Sequence, residues 1–329
     1  MLEIVTLSNS NGAILQISNY GATILSLKIP DKNGNLINVV VGLESPEEYT
    51  KQSYLDHHLL LGATVGRHAG RISGGVMAIE NQEYPIYNQN GAHLHGGKQG
   101  FDKKFWNIDT VINGKNSSVK LSYISEHLEE NYPGNLHVSV NYELMESNTL
   151  KITYEGTTDK TTVINLTNHS YFNLEGCGSI LKHHLQVHSH SYLEVDNRLL
   201  PTGSIIPSKG TRFDYGEKSL IEKEGFAGID DTFILEPTQF NVAMLFSTSN
   251  GICMNIYTNQ PAIVIFTPKY LPDLNYSNNR SYKKYPAICF ETQNFPDATS
   301  HPHFPSSILR PGQLYLNETV FQFDILSDS

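Results

Sequence analysis

Glu291 lies in the run Ala287-Ile288-Cys289-Phe290-Glu291-Thr292-Gln293-Asn294-Phe295-Pro296-Asp297-Ala298, a carboxylate in a segment that otherwise reads as a buried strand. An ionised carboxylate in a core costs several kcal/mol, so it persists only where something pairs with it or uses it. A second polar anomaly lies upstream. In Val163-Ile164-Asn165-Leu166-Thr167-Asn168-His169-Ser170-Tyr171-Phe172-Asn173-Leu174, period-two alternation puts Asn165, Thr167, His169, Tyr171 and Asn173 on one face and Leu166, Phe172 and Leu174 on the other. A strand carboxylate and a strand imidazole make a candidate base and acid pair, provided the fold brings them together.

Metal chemistry is the first alternative. His93-x-His95, His188-x-His190 and His301-x-His303 each place two imidazoles on one face if they lie in strands, a spacing compatible with zinc. Among 14 histidines such pairs arise easily by chance. There is no Gly-x-Ser-x-Gly elbow, no His-Glu-x-x-His, no Gly-x-x-x-x-Gly-Lys-Ser/Thr loop and no Gly-x-Gly-x-x-Gly opening a helix. Serine hydrolase, zincin, nucleotide and dinucleotide readings therefore lack support.

The elements that must position these groups are strands. Windows rich in Val, Ile, Thr, Tyr and Phe recur from Ile14-Leu15-Gln16-Ile17 to Val320-Phe321-Gln322-Phe323. Turn signals separate them, among them Asp31-Lys32-Asn33-Gly34, Ile112-Asn113-Gly114, Tyr132-Pro133-Gly134 and Ser249-Asn250-Gly251. Helical turns fit only near Ser45-Pro46-Glu47-Glu48-Tyr49 and Lys218-Ser219-Leu220-Ile221-Glu222. With no linker, composition shift or fixed-period repeat, the chain reads as one all-β domain over 1–329. So many strands must close up or stack as sheets, with the polar strand faces turned into a cleft or to solvent.

A formal net charge of -10 and the lack of a basic run make nucleic acid and anionic membranes poor partners, and a neutral small molecule a better one. No stretch approaches a membrane span, and Met1-Leu2-Glu3-Ile4-Val5-Thr6 lacks signal-peptide character, so the expectation is a soluble, cytoplasmic protein. Cys177, Cys253 and Cys289, three cysteines without a Cys-x-x-Cys, argue against a disulfide framework and a cysteine-built zinc site. Monomer and homodimer both stay open.

The chain resembles the aldose 1-epimerase, or galactose mutarotase, family from about Asn19-Tyr20-Gly21-Ala22 to the last strands. The resemblance rests on Gly62-Ala63-Thr64-Val65-Gly66-Arg67-His68-Ala69-Gly70-Arg71-Ile72, Leu94-His95-Gly96-Gly97-Lys98-Gln99-Gly100-Phe101-Asp102-Lys103 and Asn165-Leu166-Thr167-Asn168-His169-Ser170-Tyr171-Phe172-Asn173-Leu174. Pro201-Thr202-Gly203, Gly228-Ile229-Asp230-Asp231-Thr232-Phe233 and Phe290-Glu291-Thr292-Gln293-Asn294 follow in the family's order. The resemblance implies a large antiparallel β-sandwich of the supersandwich type, a sugar cleft on a concave face, and no metal or organic cofactor. It implies Glu291 as general base and His169 as general acid, with Arg71, His95 and Asp230 holding sugar hydroxyls.

The implied reaction interconverts the anomers of a free aldose such as galactose or glucose. A base takes the C1 hydroxyl proton while an acid protonates the ring oxygen. The ring opens, the aldehyde turns, and closure on its other face uses the same groups in reverse. Such catalysis works best with pKa values near the working pH, which suits an imidazole and asks Glu291 for a pKa raised by desolvation.

Each nominated residue also has a plain structural reading. His169 could be a strand histidine bonded to Asn165 or Thr167, Arg71 could pair with a surface carboxylate, and His95 could shape the turn at Gly96-Gly97. Adjacent Asp230 and Asp231 leave one position open, with the Gly-Ile-Asp spacing ahead of Phe233 favouring Asp230. Phe266 is either core, alternating with Val264, or an aromatic platform for a pyranose. Gly70 stands where many relatives carry Asn, Val264 where some have Gln and Phe266 where those have Tyr, so the preferred sugar is open. Three other functions compete: a sugar-binding module, which would be expected to lack His169 or Glu291; a glycoside hydrolase, which needs two carboxyl groups; and a glucose-6-phosphate epimerase, which needs more basic residues.

Overall fold

Residues 1–236 and 240–326 are described by the structure, a computed structural model. Turn chemistry begins the fold locally. The Asp31 carboxylate, for example, accepts the N–H groups of Asn33 and Asn35, each at 2.8 Å, and so reverses the chain between the strands Thr23–Pro30 and Leu36–Asn38. Strand Leu136–Met145 shows what then drives packing: Leu136, Val138, Val140, Tyr142 and Leu144 are buried, while the side chains between them are partly or fully exposed.

Among the described residues the strands form a nine-stranded sheet, a six-stranded sheet and a four-stranded N-terminal sheet, with several short two-stranded ladders. The paired strands are antiparallel. The six-stranded sheet runs Tyr171–Phe172, Ile288–Gln293, Ala262–Phe266, Asp230–Ile234, Ser191–Val195 and Pro201–Pro207. Its back face carries Phe172, Ile288, Phe290, Ile263, Ile265 and Phe233 into a core cluster that reaches from Leu7 to Phe323. The Phe172 ring lies 5.0 Å from Phe321 of the nine-stranded sheet, and the Thr292 and Thr319 hydroxyls bond across the same interface. The two sheets thus form a sandwich, each fully buried large apolar side chain contributing about 1.5–3 kcal/mol.

The front face of the six-stranded sheet floors a cleft. Register puts Tyr171 opposite Cys289, Cys289 opposite Phe266 and Phe266 opposite Asp230, and in the next row Glu291 opposite Val264 and Val264 opposite Thr232. All six residues of Ile288–Gln293 are buried, because one face meets the core and the other the bottom of the cleft.

Two local expectations fail. The polar run around His169 is two short ladders, since Thr167–Asn168 pairs with Thr64–Val65 and Tyr171–Phe172 pairs with Ile288–Gln293. Asn165 and Asn173 spend their amides on backbone, on Ala69 and Asn294 and on Cys177 and Pro286, so they staple loops and do not line the cleft. Ser219–Leu220 is a strand pairing with His184–Val187, because a partner edge satisfies its backbone better than one isolated helical turn. The other segment does turn helically, at Pro46–Thr50 and Gln52–Leu55. No described helix is long and apolar enough to cross a membrane.

Candidate active site

His169 is where the two short ladders meet. Its N–H donates to Ala63 and its carbonyl accepts from Gly62, which anchors its backbone beside the strand carrying Glu291. Nε2 of His169 then lies 3.5 Å from Oε1 of Glu291, with the side chains 6% and 3% exposed. The imidazole stacks on Tyr171, ring centroids 5.1 Å apart at 28°, and meets His95 edge-on at 5.5 Å and Phe266 at 6.3 Å. Its Nδ1 is buried, and these ring contacts help hold the imidazole in place.

Burial acts on this pair in opposite senses. It raises the Glu291 carboxyl to about 8, helped by Asp230 and opposed by Arg71, and lowers the His169 imidazole to about 4. Between those values the pair retains one proton. In that window the proton rests on Glu291 and His169 is neutral, and the 3.5 Å separation lets the proton pass to His169, where mutual attraction offsets part of the cost of charging both groups.

Arg71 and His95 come from the two-stranded ladder of Arg71–Ser73 with Ala92–Leu94. Arg71 faces the cleft, and its Nη2 lies 3.9 Å from Oδ2 of Asp230. Arg67, four positions earlier, is buried and donates to the carbonyls of Ser125, Pro133 and Gly134, which makes it a structural clamp. His95 follows the strand end and accepts the Gly70 N–H on Nδ1 at 3.2 Å. Its proton is therefore on Nε2, and burial holds its pKa well below the usual imidazole value, so a neutral donor results. Gly96 makes this turn possible, because a Cβ there would stand 1.9 Å from the Gly66 carbonyl oxygen.

Strand alternation separates the two adjacent aspartates. Asp230 lines the cleft, its pKa raised by burial and opposed by Arg71; Asp231 points to the other face, 3.6 Å from Nη2 of Arg212. Phe266 and Val264 both line the cleft floor. Thus Arg71, His95, His169, Asp230, Phe266 and Glu291 share one cavity of about 530 Å³. Tyr171, Thr232 and Gln293 line it too and were not among the nominated residues. Period two alone could have found Gln293, two positions from Glu291.

Four of the six paired histidines spend a ring nitrogen on a backbone carbonyl. His93 contacts the Tyr87 carbonyl and the Tyr132 hydroxyl, both at 2.6 Å, and His188 the Asn241 carbonyl at 2.6 Å. His301 and His303 donate to the carbonyls of Pro201 and Gly203. Among the described residues one cluster has metal-compatible donors, His95, His169 and Glu291, with ligand atoms within 4.8 Å of one another. The Gly70 N–H on His95 Nδ1 is the wrong partner for a metal-bound imidazole, whose second nitrogen must itself donate.

The architecture is an antiparallel β-sandwich whose cleft holds a buried carboxyl and imidazole side by side, and comparison with known proteins gives its family. The model of the aldose 1-epimerase family matches residues 3–322. Galactose mutarotase of Sus scrofa is 37% identical over 322 residues, covering 94% of this chain and 91% of that protein. Aldose 1-epimerase of Escherichia coli is 31% identical over 336 residues, covering 98% and 95%. Among solved structures, an aldose epimerase homologue from C. elegans superposes with a TM-score of 0.91 at 28% identity, covering 99% of this chain and 100% of that one. Galactose 1-epimerase from Lactobacillus acidophilus gives 0.86 at 28% identity, covering 99% of each. The chain belongs to the aldose 1-epimerase family.

Proposed function

We propose that this protein is an aldose 1-epimerase that interconverts the α and β anomers of free aldohexoses such as galactose and glucose. One observation carries the reading: Glu291 and His169 stand 3.5 Å apart at the floor of the cleft. O1 and O5 of a pyranose are bonded to the same carbon, so the two groups that serve them must be neighbours. Glu291 as carboxylate takes the C1 hydroxyl proton while His169 as imidazolium protonates O5, and the C1–O5 bond breaks. The pair is now carboxylic acid and neutral imidazole. After rotation about C1–C2, Glu291 returns a proton to the carbonyl oxygen as His169 takes the proton of the C5 hydroxyl, which attacks the other face.

The flanking groups have fitting roles. His95 offers its Nε2–H to a sugar oxygen, Arg71 and Asp230 take hydroxyls, and Phe266 gives an apolar surface to the C–H face of the ring. No step needs a metal or an organic cofactor. The partner is a small neutral aldose, with no role for nucleic acid or membrane, and monomer or homodimer serves equally. A cytoplasmic location fits three unpaired cysteines.

Polarimetry on freshly dissolved α-galactose and α-glucose tests the reading. Relaxation to the usual final rotation should be faster than in buffer alone, and methyl galactoside should stay intact. Relaxation at the buffer rate rejects the epimerase, and release of methanol points to a glycosidase.

A further inference from the structure

Asp297 lies just beyond the cleft and touches the chain segments that build it. Its N–H donates to the Arg71 carbonyl at 2.8 Å. Its Oδ1 accepts the Ser73 N–H at 2.9 Å, the Ser73 hydroxyl at 3.2 Å and the Ser300 hydroxyl at 2.7 Å. Its Oδ2 is 3.7 Å from Nε2 of His301, and that N–H donates to the Pro201 carbonyl at 3.1 Å. Asp297 is 1% exposed and follows the strand that carries Glu291, while Arg71 and Pro201 line the cleft.

The strand under Arg71 explains why these bonds matter. Arg71–Ser73 is three residues long and belongs to a two-stranded ladder, its one partner strand being Ala92–Leu94. So short a ladder is marginal by itself. Asp297 holds its free edge at both ends, through the Arg71 carbonyl and the Ser73 N–H, and joins it to the chain leaving Glu291.

We propose that Asp297 is a positioning residue: it sets the Arg71 guanidinium against the bound sugar relative to Glu291. The inference rests on the aldose 1-epimerase reading. Asp297 touches no substrate and acts through the backbone that carries Arg71.

A double-mutant cycle measured by polarimetry tests it, with thermal unfolding followed in parallel. Asp297→Ala should lower kcat/KM by up to about 100-fold, mainly through KM, since loss of alignment alone can cost that much. In an Arg71→Ala background the same change should alter kcat/KM by no more than about twofold, the scatter expected once the coupled partner is gone. Asp297→Asn, which keeps an acceptor for the Ser73 N–H, should give a smaller loss with the same dependence on Arg71. Equal losses in both backgrounds, or no loss in either, overturn the proposal. So does failure of the Asn variant to fold, because the role would then belong to the fold. A parent protein that leaves galactose and glucose at the buffer rate rejects the epimerase reading instead.

Discussion

The Gly70 N–H donates to Nδ1 of His95 at 3.2 Å, and this one contact decides which nitrogen of His95 carries a proton. The cleft therefore receives an N–H donor that stays neutral well below the ordinary imidazole range. Nitrogen-15 shifts should report the Nε2–H tautomer through the ordinary imidazole range without a titration step there. His95→Ala should lower kcat/KM by about 100-fold, as loss of a donor aimed at developing charge does; an Nδ1–H tautomer would remove the argument.

The same contact bears on metal. With an N–H facing the donor cluster, His95, His169 and Glu291 should not retain a divalent ion. Dialysis against a chelator should leave turnover unchanged, whereas loss of activity restored by zinc would overturn the metal-free mechanism.

Activity should follow a bell-shaped pH profile. With His169 lowered to about 4 and Glu291 raised to about 8, the pair keeps its one proton between those values. Below the lower value both groups are protonated and no base remains; above the upper value both have lost their protons and no acid remains. The limbs of kcat/KM should lie near these two values. Glu291→Gln and His169→Asn should each lower kcat by at least about 100-fold, and a flat profile from pH 4 to 9 would contradict the pair.

Glu291 should also weaken the fold as pH rises. Its folded pKa, about 8, exceeds the ordinary 4.5, so the folded state binds the extra proton between those values. The stabilisation from this proton is complete below about 4.5 and is lost as pH rises through about 8, a change on the order of several kcal/mol. Glu291→Gln should therefore be more stable than the parent at pH 9 and by a smaller margin at pH 5. Denaturant unfolding at the two pH values decides it, and an equal difference at both would mean the carboxyl is not shifted.

The adjacent aspartates should separate cleanly. Asp230→Asn, in the cleft beside Arg71, should raise KM by about 10-fold, the cost of weakening one hydrogen bond to a charged group. Asp231→Asn, on the opposite face beside exposed Arg212, keeps an acceptor for the Asp230 N–H and should leave KM within about twofold because its side chain does not face the cleft. Reversal of the two results would mean that the strand presents its other face.

Much of this architecture was legible because strand alternation is a local property. Turn residues and β-rich windows placed the strands, and period two put Glu291 among apolar neighbours. It failed at the polar run around His169, where tertiary pairing breaks one apparent strand into two ladders and turns Asn165 and Asn173 onto backbone. Lys218–Glu222 misled in the same way: a short segment has weak preferences, and the edge offered by His184–Val187 decides its state.

By itself, the sequence determined an all-β chain, a carboxylate and an imidazole in strand-like surroundings, and an ordered set of motifs that mark the family. Only the tertiary structure decided that His169 meets Glu291 at 3.5 Å, that Arg71 faces the cleft while Arg67 clamps loops, and that Asp230 faces the cleft while Asp231 does not. The physical reason is range: alternation is set by neighbours along the chain, but which faces meet depends on strand pairings between distant segments, and those exist only once the sheets have closed.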